Sequence, residues 1–398
     1  MTQKKKGYLR LLTPPDDLSG LVKKIRRLKA DSIQNILSYA ILILLCLCGT
    51  WLLMQNQTYG KARTSDQYPS GTTDSSRYRQ FSDGIVRYNR DGVSFLNKKN
   101  EEIWMHPTQL QNPVIVVKEN AFAVADNGGN SILVFSENGL TGEIETTLPV
   151  ERLTVSDQGI VSVLLRNENT PEIITYDAAG NILAEMQISS GNSGYPTAME
   201  LSDDGKTLAV SYLSVSGTGV KSRLVYYNFG EAGQGRPDNI VFSQDYKDTV
   251  FGEIFFMDGN CSVAVADRGI QIIRGTDEPQ KDQQIVIDQE IQSIFHSDQY
   301  IGFILLNDQK SGYELRLYNR IGEQMISREL PGKYSNAKID GEEIILYDGD
   351  QCCIVTATGI IKYKGQLAVE AREIFPAFGI NRYYVMSVDE LRVVYLTK

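Results

Sequence analysis

Hydrophobic positions along this chain follow two different regimes. Ile36 to Met54 (ILSYAILILLCLCGTWLLM) is one apolar run without a charge. A helix crossing a bilayer takes roughly 20 apolar residues, so the run predicts a transmembrane helix over 36–54. Beyond residue 80 helical periodicity is lost. Short runs of β-branched and aromatic residues alternate there with Gly, Asn and Asp turns, the pattern of an all-β domain. Between the two, residues 55–80 are rich in Ser, Thr, Gly and Asp and almost free of aliphatic side chains, which predicts a flexible tether.

The β region repeats. ILVFSENGLTGEI (132–144), IITYDAAGNILAEM (173–186) and LRLYNRIGEQMIS (315–327) each place a strand ending in an aromatic residue ahead of a polar turn. A glycine follows four residues on, as in Phe135 and Gly139, Tyr176 and Gly180, Tyr318 and Gly322. VSFLNKKNEEIWM (93–105) has the same form with Leu96 and Asn100. The shared position is one where a hairpin needs positive φ. Leu96, Phe135 and Tyr176 lie 39 and 41 residues apart. A period near 40 with several strands per unit marks a β-propeller blade. Strand runs fill a unit from Val114 to Thr147 and another from Arg152 to Ile188; later units cover 195–245, 250–288, 290–330 and 332–367. Phe81–His106 and Arg372–Lys398 read as partial units that close the ring together. The count gives seven or eight four-stranded blades, with eight preferred, over 81–398.

Charge sets the expected orientation. Residues 1–35 hold nine basic and three acidic side chains, leaving 31 basic against 46 acidic for the remainder. Basic residues beside a span stay in the cytoplasm, so the C-terminal domain is expected outside. Trp51, Leu52 and Leu53 follow the apolar core where a signal peptide would carry small residues, so an uncleaved anchor is expected. Leu18, Leu21, Val22, Ile25 and Leu28 are spaced as one face of a basic helix, which suits either an anionic lipid surface or a solvated topology signal. The acidic outer domain argues against nucleic acid as its ligand.

Few residues suggest chemistry. His106 and His296 fall in different units and lack Cys, His or Glu neighbours at metal-ligand spacing. Gly230–Gly235 (GEAGQG) is followed by Arg-Pro-Asp and a strand instead of a helix, so it reads as a loop and not a phosphate cradle. Asp126–Asn130 and Asp348–Asp350 lack the downstream Glu of a calcium loop and read as hairpin turns, as does Asp203-Asp204. Cys46 and Cys48 fill the apolar run. Cys352 and Cys353 are adjacent on a strand and point to opposite faces, so a bridge between them is disfavoured. No catalytic, cofactor or metal residue is assigned, and no cofactor is expected.

LSDDGKTLAV (201–210) resembles the hairpin of WD-repeat-like and Tol-type propellers. The Tyr-Asn/Asp-x-x-Gly hairpins, with Glu102-Ile103-Trp104, resemble quinoprotein-type blades. Through NPVIVVKENAFAVADNGGNSILVF, GYPTAMELSDDGKTLAVSYL and VYYNFGEAGQG, the chain is similar to an uncharacterised bacterial family, frequent in anaerobic Gram-positives. Its members combine a basic tail, one span and an extracytoplasmic propeller. The resemblance implies a location and a fold, and no activity. The reading is a binding scaffold or sensor in the cell envelope, its partners the bilayer through the anchor and other envelope proteins through propeller loops. The alternative is an envelope carbohydrate hydrolase or lyase with its site at the channel mouth, for which convergent carboxylates of perturbed pKa would speak.

Overall fold

A computed structural model describes residues 37–50, 57–69, 76–167, 170–188, 193–217, 219–307 and 312–398. The chain divides into two units, Met1–Gln57 and Thr58–Lys398. In the first, residues 37–50 are helical and leave Leu37, Tyr39, Ile41 and Leu44 exposed. Among the described residues no helix is long and apolar enough to cross a membrane. The expected amphipathic segment in 1–35, and residues 36 and 51–54 of the expected span, lie outside the described residues.

The second unit is an eight-bladed β-propeller of four-stranded antiparallel blades. Seven blades are simple meanders, covering residues 77–107, 113–145, 150–187, 195–247, 251–286, 291–329 and 336–366. They are blades 1 to 7. First strands of neighbouring blades lie against one another, as those of blades 2 to 5 do in turn. Blade 8 takes three strands from Glu373–Pro376, Arg382–Met386 and Glu390–Thr397, and its outermost strand from Lys61–Pro69.

Two expectations need correction here. Residues 77–107 form a complete blade, so the partial first unit at Phe81–His106 does not exist. The C-terminal strands are completed by Lys61–Pro69, inside the segment expected as a tether. That strand pairs from Lys61 opposite Thr397 to Pro69 opposite Glu390, with an irregularity at Ser65. It was hidden because an outermost strand borders solvent, and only Ala62, Thr64 and Tyr68 are half-buried within it. A strand held by backbone pairing needs no apolar alternation.

Hydrophobic packing lies between blades. Buried side chains group into eight clusters, one for each interface around the ring. An open arc of eight blades would have seven. The seam between blades 8 and 1 buries Tyr78, Ile85, Leu96, Phe375, Met386 and Leu391, which makes it the smallest cluster. The interface of blades 1 and 2 is aromatic: Trp104 stacks on Phe135 with centroids 5.4 Å apart, and its indole N–H donates to the Glu137 carbonyl at 2.9 Å.

The repeated hairpin has one physical basis. Asn97, Asp177 and Asn319 each accept two backbone N–H groups through Oδ1, at 2.8 to 3.1 Å, and so fold the turn locally. Asn100, Gly180 and Gly322 then take φ of 61°, 87° and 80°. Gly142 has a different role: a Cβ there would overlap the Ala178 carbonyl oxygen in the turn of blade 3. Gly142→Ala forces two backbones apart at a packed interface. We expect a loss of about 3 kcal/mol, read by denaturant unfolding, whereas Gly180→Ala costs about 1 kcal/mol because only its backbone conformation resists.

Candidate functional site

The first strands of blades 2 to 6 bring titratable side chains to one cavity of about 360 Å³ on the axis. Lys118 follows strand Pro113–Val117, Arg152 lies in Val150–Val155, and Glu200 in Tyr195–Leu201. Glu253 comes from Phe251–Asp258 and His296 ends Ile291–His296. Apolar residues of these strands, such as Val150, Val155, Leu201, Ile254 and Phe295, fill the interblade clusters. A charged residue is accommodated where the strand borders the channel.

Lys118 spans from blade 2 to blade 4. Its Nζ lies 2.8 Å from Glu200 Oε1 and 3.1 Å from Asp203 Oδ1. The other carboxylate oxygen of Glu200 accepts from Thr154 Oγ1 of blade 3 at 2.9 Å. The turns after these strands are joined as well: Asp157 Oδ1 accepts the Glu119 N–H at 3.0 Å, and the Asp157 N–H donates to the Asp203 carbonyl at 3.0 Å. Burial opposes the charge of Lys118, but Glu200 and Asp203 outweigh it and raise its pKa. Burial pushes Glu200 above the usual carboxylate range, with Lys118 and Thr154 pulling it back. The two titrate as a coupled pair.

The remaining three groups are less well matched. Among the described residues Glu253 and Arg152 have no hydrogen-bonding or ion-pair partner through their side chains. Burial raises Glu253, and the nearby Glu200 charge adds to it. The His296 ring lies flat on Phe255, with centroids 3.7 Å apart and planes 3° from parallel, while its edge is open to the channel. Burial of that face, with the Lys118 charge second, lowers its pKa to about 4. A lowered histidine contributes stability above its ordinary pKa of 6.5 and loses it as pH falls toward about 4. Glu253, being raised, has the opposite sign: its contribution is present at low pH and lost as pH rises through the folded pKa. His296→Gln should therefore flatten the fall in unfolding free energy between pH of about 6.5 and about 4, and Glu253→Gln should stabilise the fold near neutrality.

The other sequence candidates lie elsewhere. His106 sits on the outer strand of blade 1 with its ring edge-on to Phe135. It is not brought to His296. Asp126 Oδ1 accepts the Gln111 and Asn112 N–H groups, and Asp348 accepts from Ser335. Gly230–Gly235 forms a short 3-10 turn between the last two strands of blade 4. Cys352 packs toward blade 8 and Cys353 toward blade 6, both as buried thiols, and burial pushes Cys352 up to about 12. Among the described residues no three His, Cys, Asp or Glu side chains group to hold a metal. Asp203, read as a plain turn residue, is an ion-pair partner of Lys118. Lys118, Glu200 and Glu253 carried one signal in the sequence, a charge beside apolar residues in the first strand of a unit; Arg152, in VERLTV, carried none.

A second feature lies on a turn that also follows a first strand. In blade 8, Phe378 is 93% exposed and Ile380 67% exposed, either side of Gly379 at φ 111°.

A family model described as "Family of unknown function (DUF5711)" matches residues 55–396. Nothing among the curated proteins matches the chain. Among solved structures, BamB from Moraxella catarrhalis is similar with a TM-score of 0.52 and 13% identity, over 84% of this chain and 100% of that one. Sqt1 from Saccharomyces cerevisiae is similar with a TM-score of 0.52 and 9% identity, over 86% and 99%. At such identities the likeness is one of fold alone.

Proposed function

The chain belongs to this DUF5711 family of unknown function, and we propose that its propeller is a binding scaffold or sensor held at the outer face of a cell membrane. The anchor in this reading is the run 36–54, with the basic residues 1–35 inside. The described helix 37–50 supports it: apolar side chains are exposed all around, as suits a lipid surrounding. The observation that carries the binding role is the exposed Phe378–Ile380 turn. A large aromatic and an aliphatic side chain presented together on a rigid ring suit a protein partner that buries them. Propellers present loops on rigid blades and commonly serve as docking platforms, an analogy of fold alone.

The test is crosslinking in intact cells, comparing the parent with Phe378→Ser/Ile380→Ser. The melting temperature should be unchanged, because neither side chain is packed. Specific crosslinked species should disappear. An unaltered crosslinking pattern would remove the turn from the binding surface.

One observation favours the enzymatic alternative. Glu200 and Glu253 face a single cavity and both have raised pKa values. A carboxyl group with a raised pKa is what a glycosidase general acid requires. Reducing ends released from cell-wall polysaccharide by the parent, and lost in Glu253→Gln, would move that reading ahead. Absence of release would count against it.

A further inference from the structure

The innermost strand of blade 2 begins in a different cavity from the one where it ends. Pro113 lines a cavity of about 600 Å³ at the ring's opposite mouth, while Val116, Val117 and Lys118 line the channel site. Five residues of strand separate the two by about 15 Å. This second cavity is bounded by the starts of the first strands of blades 1, 2 and 8 and by the turn at 88–92 in blade 1.

Four arginines line it: Arg77, Arg79, Arg90 and Arg372. Among the described residues one carboxylate, that of Asp91, lies with them. Arg79 is 3.5 Å from Glu373, but Glu373 also holds Lys338 at 2.8 Å. Among the described residues the guanidinium groups of Arg77, Arg90 and Arg372 have no carboxylate partner. The buried rings of Tyr78 and Tyr88 form part of the wall. This cluster occurs in a region with 46 acidic against 31 basic residues, where scattered charges would give the opposite sign.

A solvated basic rim is the plain alternative. Three features speak against it. The four side chains come from three separate segments of sequence and meet at one concavity. Like charges held close repel, so the arrangement costs stability unless an anion joins it. Arginine presents a planar fork that fits phosphate oxygens two at a time. We infer that this mouth of the propeller binds a small, soluble, multiply charged phosphate compound, held by the forks of Arg77, Arg79, Arg90 and Arg372. The surplus over Asp91 and the shared Glu373 is two to three positive charges, which a phosphate or diphosphate matches and a single carboxylate does not. A cavity of this volume accommodates a ligand of nucleotide size.

The experiment is calorimetric titration of the full chain, in neutral detergent, with inorganic pyrophosphate. Citrate is the control for charge without phosphate geometry. Pyrophosphate should bind below about 1 mM and citrate at least about tenfold more weakly. Arg77→Gln/Arg90→Gln should weaken pyrophosphate binding by more than about tenfold, and Arg77→Lys/Arg90→Lys should weaken it too, because charge is kept and the fork is lost. All variants should keep the parent melting temperature, since these side chains are exposed and unpaired. No measurable pyrophosphate binding, equal binding of citrate, or binding unchanged in the Gln variant would each overturn the proposal.

Discussion

A chain beginning at Arg77 should not fold to a stable monomer, whereas one beginning at Thr58 should unfold cooperatively with the parent's melting temperature. The two differ by residues 58–76, which contain Lys61–Pro69, the outermost strand of blade 8. Its loss bares the edge of Glu390–Thr397 along a run with Leu391, Val393, Val394 and Leu396. A long apolar edge of that kind pairs with other chains. Blade 8 also shares the smallest interblade cluster with blade 1, so the seam has little other packing to hold it. Eight paired positions at about 0.5–1 kcal/mol each give a loss on the order of 5 kcal/mol, and association should follow. Light scattering and thermal unfolding of both fragments decide the matter. A monomeric fragment from Arg77 with an unchanged melting temperature would show that the ring does not need this closure.

Lys118→Met should be the most damaging single change in the channel. Its ammonium group, from blade 2, pairs with Glu200 and Asp203 of blade 4. Side chains of Lys118 and Glu200 are about one-sixth exposed, so water screens them little. Removing the cation leaves Glu200 buried with Thr154 as its hydrogen-bond donor, at a cost of about 3 kcal/mol. The sign with pH follows. Without Lys118 the folded pKa of Glu200 rises further, so its contribution is favourable at low pH and is lost as pH rises through that value. Lys118→Met should therefore be closer to the parent near pH of about 4 than near pH of about 7. Adding Glu200→Gln should restore much of the stability, because the partnerless charge is gone. Denaturant unfolding of the parent, the two single variants and the double variant at both pH values closes the cycle.

Much of the propeller was legible in the chain. Blades 2 to 7 follow the sequence units within a few residues, because each contains apolar strands that fill interblade clusters and a turn whose Gly or Asn takes positive φ. The closing strand was not legible. Lys61–Pro69 faces solvent on its outer side, and its stability comes from the backbone of a strand more than three hundred residues away. With it went the correct division of blade 1. The channel site was hidden for a related reason. Its five titratable residues come from five blades, and no two share a local motif. Glu200 lies in TAMEL, where no motif singles it out, and Asp203 reads as a turn. Arg77 and Arg372 were likewise assigned to a tether and a terminal unit, although they flank the same cavity.

Labelling of Val215→Cys on intact cells tests the proposed placement of the scaffold most directly. Val215 is 80% exposed, whereas Cys261, Cys352 and Cys353 are buried and Cys46 and Cys48 lie in the apolar run. A membrane-impermeant maleimide should label the variant on intact cells to the same extent as in lysed cells, with the parent as background. Labelling that appears only after lysis would place the propeller inside and contradict the account.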